Sequence, residues 1–93
     1  MFVGDHLAPY FAMLGAAFPV PPEGDDRRAL LHVLFFDLSE RALARLLSEY
    51  FDDERAVVLN EAIEVVNGPS LDPDLLGGIR SALEAEGWDF DAD

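Results

Sequence analysis

The sequence predicts an all-α fold: one domain, a compact bundle of about five short helices. Three observations predict it. Apolar residues recur at three- and four-residue spacing along most of the chain. Proline, glycine and capping residues divide that pattern into five helical lengths. And 93 residues with 51% hydrophobic content provide one core and exclude intrinsic disorder.

The first length runs from about Asp5, a suitable N-cap, to Ala17. Leu7, Phe11, Leu14 and Phe18 share one of its faces. Pro9 falls in the first turn, where a missing N–H costs least. Phe18-Pro19-Val20-Pro21-Pro22-Glu23-Gly24 cannot be helical and reads as a rigid, partly polyproline connection. The second length opens at Asp25-Asp26, whose charge suits a helix N-terminus. It continues through Ala29-Leu30-Leu31-His32-Val33-Leu34-Phe35-Phe36, apolar nearly all round. Such a helix is either central in a bundle or shared with a second chain.

Ser39 is the expected N-cap of the third length, with Leu38 and Leu43 spaced as a hydrophobic staple. A capping box between Asp37 and Glu40 is the alternative boundary. Leu43, Leu46, Leu47 and Tyr50 form its stripe. The fourth length starts at Asp52 or Asp53 and buries Val58, Leu59, Ala62, Ile63 and Val66. Its β-branched residues would also suit a strand, but the spacing and length favour a helix. Asn67-Gly68-Pro69 stops it, an αL-tolerant pair before a residue that cannot continue a helix.

The fifth length has Asp72 as N-cap, Pro73 at the first helical position and Leu71 placed to staple onto Leu76. Leu75, Ile79, Ala82 and Leu83 carry its core face. Gly87 is the expected residue just past its end, with Trp88 returning over Leu83 in a Schellman ending. Gly77-Gly78 inside the helix costs about 1 kcal/mol per glycine relative to alanine. Close approach of another helix is the expected reason. Residues 89–93 are expected to fray.

Six arginines, no lysine and 19 acids give a net charge of −13. That balance excludes a plain nucleic-acid binder, which needs a basic surface. The charge is uneven. Residues 1–22 carry net −1, residues 23–55 net −4 and residues 56–93 net −8. The apolar excess is early and the acidic excess late. With no cysteine, disulfides and thiolate chemistry are excluded, which fits the cytoplasm. The start, Met1-Phe2-Val3-Gly4-Asp5, lacks a basic n-region, and prolines interrupt the apolar stretch behind it. It reads as neither a signal peptide nor a membrane span.

Residues able to carry chemistry are few. A nucleophile–base pair would have to come from Ser39, Ser48, Ser70 or Ser81 with His6 or His32. Ser39 and Ser70 are explained by helix starts, and neither histidine sits in a motif. His32, within the most apolar helix, reads as a core or interface histidine. Asp52-Asp53-Glu54 is a carboxylate cluster, but adjacent acids at a helix start serve its dipole. Glu61 and Glu64 share one side of a helix with no second Glu-x-x-His segment to complete a di-metal site. Asp89, Asp91 and Asp93 imitate the start of a calcium loop without its later glycine and glutamate. No enzymatic activity, metal or cofactor is expected.

Several segments in order resemble a known family of small helical domains, catalogued as domain-of-unknown-function family 3349 and found mainly in mycobacteria and rhodococci. They are Gly15-Ala16-Ala17-Phe18-Pro19 with Val20-Pro21, then Asp26 and Ala29-Leu30-Leu31, then Leu38-Ser39 with Leu43, Leu46 and Leu47. Ile63-Glu64-Val65-Val66, Pro73-Asp74-Leu75-Leu76 and Leu83-Glu84-Ala85-Glu86-Gly87-Trp88-Asp89 follow. The resemblance spans roughly residues 11–91, and its most specific motif is the closing Leu-x-x-x-Gly-Trp. Val65 and Val66 depart from a threonine-containing pattern. The resemblance implies about five helices, members that are monomeric or oligomeric, and no established activity or functional residues.

Two functions are expected from the residues themselves. The first is a self-associating interaction module, a homodimer or higher oligomer. Its candidate interface is Phe11, Phe18, Leu31, Phe35 and Phe36. The alternative is an acidic inhibitor or immunity-type protein for a basic partner such as a nuclease. Its candidate face is Glu61, Glu64, Asp72, Asp74, Glu84 and Glu86. Neither nucleic acid nor membrane is an expected partner.

Overall fold

Breaks in the helical pattern fall where the sequence places proline, glycine and capping side chains. In the computed structural model, which describes residues 7–90, five helices result. They are α1 (Ala8–Ala17), α2 (Gly24–Asp37), α3 (Glu40–Phe51), α4 (Arg55–Asn67) and α5 (Pro73–Ala85). No strand occurs among the described residues. The chain is an all-α bundle, as its periodicity predicts.

α1 is preceded by Leu7, with Pro9 in its first turn. Asp5, His6 and residues 91–93 lie outside the described residues. The proline-rich connection is non-helical, and Gly24 makes the turn into α2 with φ +61°. Glycine takes that left-handed value without strain. Ser39 caps α3, its Oγ accepting the Ala42 N–H at 3.1 Å. The alternative capping box is not used, because Asp37 is engaged elsewhere: its carboxylate accepts the indole N–H of Trp88 at 2.8 Å.

The start of α4 corrects the sequence reading. It begins at Arg55 behind Glu54, not at Asp52 or Asp53. Asp52 ends α3 in a left-handed conformation, with φ 59° and ψ 46°. Asp53 turns to Arg27. The buried face also differs. Val58, Ala62 and Val65 are buried, while Ile63 and Val66 stay half-buried. The helix stops at Gly68 in extended backbone rather than a left-handed cap. α5 follows expectation closely. Asp72 accepts the Asp74 N–H at 2.9 Å. Its far end is a Schellman motif, with Trp88 N–H to Leu83 O at 3.1 Å and Gly87 N–H to Glu84 O at 3.0 Å. Gly87 takes φ +103° to make it.

α2 is the centre of the bundle. It packs on α4, on α5 and on α3, and Ala29, Leu30, Leu31, Val33 and Leu34 are buried in it. α1 packs on α3 and α5 and does not approach α2 or α4. The all-round apolar character of α2 is therefore largely explained within one chain. Each fully buried leucine contributes about 1.5–3 kcal/mol relative to exposure.

Gly77 and Gly78 are a second correction. Both are exposed, and a Cβ added at either meets nothing within 4 Å. Among the described residues, no neighbouring helix comes within contact of either position. Gly77→Ala and Gly78→Ala are each expected to stabilise the fold by about 0.5–1 kcal/mol, by raising helix propensity and restricting the unfolded chain. Chemical denaturation measures this directly. A loss of stability in both variants would contradict the open surroundings.

Candidate functional site

The expected interface residues do not form one surface. Leu31 is fully buried, so it offers nothing to a partner and belongs to the core instead. Phe11 is half-buried, with its ring edge-on to Tyr50 at 6.5 Å. Phe18 is half-buried too, packed against the core, and its carbonyl accepts the Tyr50 hydroxyl at 2.7 Å. These two stand on the α1 side, which does not reach α2. Phe35 is half-buried, and Phe36 remains 72% exposed. Of the five, Phe36 alone presents most of its side chain to solvent.

Phe36 sits on an outer strip of α2. Asp25, Arg28, His32 and Phe36 follow one another at helical spacing, away from the side that buries Leu30, Leu31 and Leu34. The Phe36 ring is flanked by His32 at 5.2 Å and by Phe35 at 5.5 Å, the latter edge-on. Arg28 lies 3.8 Å from Asp25, with both side chains well exposed. A shallow hollow of about 240 Å³ beside the strip is lined by Arg28, Glu61, Glu64 and Val65. It is small for an organic ligand.

The candidate acidic residues are likewise divided. Glu61 is engaged within the chain by a two-pronged pair with Arg27, Nε to Oε2 at 2.8 Å and Nη2 to Oε1 at 2.7 Å. The same Arg27 reaches Asp53 at 3.0 Å and stacks over Phe51 at 4.1 Å. These hydrogen bonds, that to Glu61 foremost, hold the guanidinium above its ordinary pKa. Asp72 caps α5. Glu64, Asp74, Glu84 and Glu86 are exposed. However, α4 and α5 make no close approach to each other, and each packs on α2. Arg27 was not singled out by the sequence, because its three partners lie 24 to 34 residues away in three different segments.

The other chemical candidates stay apart. Ser39 is a cap, Ser48 donates to the Arg45 carbonyl at 3.0 Å, and Ser70 and Ser81 are exposed. His32 contacts Phe36 rather than a serine. Asp52 ends α3, Asp53 pairs with Arg27, and Glu54 precedes α4. Among the described residues, no group of three or more metal-ligating side chains converges. A second shallow hollow of about 240 Å³ is lined by Leu7, Ser39, Arg41, Ala42 and Arg45. No helix among the described residues is long and apolar enough to cross a membrane.

Tyr50 has a measurable electrostatic signature. Burial pushes its phenol up from 10.0 to about 12. The unfolded chain therefore gives up this proton at lower pH than the folded one. The contribution of Tyr50 is complete below pH 10 and is lost as pH rises from there to about 12. Tyr50→Phe is expected to flatten that part of the stability–pH curve. An unchanged alkaline limb would count against burial of the phenol.

No protein-family model, curated protein or solved structure matches the chain.

Proposed function

We propose that the chain is a small, non-enzymatic interaction module that self-associates through the outer strip of α2. The exposure of Phe36 carries this reading. A chain with a well-filled core leaves most of an aromatic ring in water, beside two further rings, on its central helix. Exposed apolar clusters of this kind mark association surfaces. A cysteine-free chain suits a reducing cytoplasm, which is where we place this activity.

The test is the mass in solution by size-exclusion chromatography with light scattering. At high micromolar concentration the wild type is expected to exceed its 10.2 kDa chain mass. Phe36→Ser is expected to return it to the monomer without loss of helicity. Added salt should strengthen association, because it screens repulsion between two chains of net −13. A strict monomer, unchanged by Phe36→Ser, would sink the proposal. The alternative, an inhibitor of a basic protein, has the exposure of Glu64, Asp74, Glu84 and Glu86 in its favour. It requires the partner to bridge two helices that do not pack on each other.

A further inference from the structure

The chain's side-chain amides are Asn60 and Asn67, since glutamine is absent. Both lie on α4 and both are exposed. Asn60 is in the body of the helix and is followed by Glu61, whose side chain is tied to Arg27. Asn67 is the last helical residue and is followed by exposed Gly68, in extended backbone with φ −90° and ψ −162°. The Gly68 N–H reaches back to the Val65 carbonyl at 3.4 Å, long for such a bond. A helix end frays more readily than a helix interior. Packing also favours glycine here, because a Cβ at this position would lie 3.0 Å from the Glu64 carbonyl oxygen. The end of α4 thus sets an exposed amide side chain beside a lightly held main-chain nitrogen that no side chain shields.

We infer that Asn67-Gly68 is a modification site at which the folded chain deamidates, with water as the co-reactant. The Gly68 nitrogen gives its proton to solvent and attacks the side-chain carbonyl carbon of Asn67. The bond from that carbon to Nδ2 breaks, and ammonia leaves with a proton taken from solvent. A cyclic imide remains. Water adds to either imide carbonyl and breaks its bond to the Gly68 nitrogen. One opening gives aspartate, the other gives isoaspartate with the main chain rerouted through the side chain. Attack within one chain needs no encounter, only local freedom to bring the two groups together. At Asn60 the same ring would break α4 in its middle and crowd the Glu61 side chain. Either product makes the chain one charge more negative than −13. The new carboxylate stands at the C-terminal end of α4, three residues from Glu64, where helix dipole and like charge both oppose it. Modification therefore leaves the chain more acidic and less stable.

The chain itself supplies the control, because Asn60 is exposed on the same helix. The wild type is incubated at mildly alkaline pH and followed by intact mass and peptide mapping, with circular dichroism to confirm that it stays folded. Asn67 is expected to convert at least about tenfold faster than Asn60, with isoaspartate among the products. Asn67→Gln, whose longer side chain must close a larger ring, is expected to keep its mass over the same period. Asn67→Asp carries the product charge and is expected to unfold at lower denaturant than the wild type. Conversion of Asn60 as fast as that of Asn67, or an Asn67 left intact in the folded chain, overturns the site. An Asn67→Asp midpoint equal to that of the wild type overturns the loss of stability.

Discussion

Trp88→Ala is expected to lower the unfolding free energy by about 3–5 kcal/mol, the usual cost of emptying a large aromatic site. Trp88 is 2% exposed although it lies beyond the last helix. Three interactions account for that. The Schellman hydrogen bonds fold the chain back over Leu83. The indole N–H donates to Asp37 at the end of α2. The ring packs on Tyr10 of α1 at 4.8 Å and stacks on Phe90 at 5.9 Å. One side chain thus joins α1, α2 and α5. Small domains have only about 5–15 kcal/mol of stability in total. Trp88→Phe and Asp37→Ala separate the parts: the first keeps most of the apolar area, the second leaves an indole N–H without its carboxylate, at about 1–3 kcal/mol. Denaturant titration of the three variants measures each. A loss below about 1 kcal/mol for Trp88→Ala would mean that the indole is not a structural joint.

Leu31→Ala is the second large effect, expected at about 2–5 kcal/mol. Leu31 has no exposed surface and sits in the central helix. Its truncation opens a cavity among helices that cannot close independently. Phe36→Ser, five residues on, is expected to change monomer stability by less than about 1 kcal/mol, because most of the ring is already in water. The pair separates packing from association on one helix. If Leu31→Ala left stability intact while abolishing assembly, Leu31 would be an interface residue after all, and α2 would be packed differently from its description above.

Helix number, order and most boundaries were legible because they are local. Ser39 and Asp72 cap through their own side chains, and Gly87 and Trp88 close α5 through main-chain bonds five residues or fewer apart. The start of α4 was not, because acids at 52–54 suit a helix N-terminus equally well whether they cap, end the preceding helix or pair with Arg27. The candidate site was legible only in part. Periodicity cannot distinguish which flank of an all-round apolar helix meets solvent. Leu31 and Phe36 look alike in sequence, and burial by α3, α4 and α5 decides between them. The acidic candidates were likewise not placed by periodicity. Glu64 and Glu84 belong to helices that the topology keeps apart.

Trp88 is the chain's one tryptophan. Intrinsic fluorescence therefore reports on a single junction, the meeting of α1, α2 and α5, while α3 and α4 contribute helical dichroism without an indole signal. Emission is sensitive to the removal of this ring from its dry site beside Tyr10. Comparing the two optical transitions during unfolding thus tests whether the five helices melt as one cooperative unit. A fluorescence change at lower denaturant than the loss of dichroism would mean that the junction opens first, with α3 and α4 still wound.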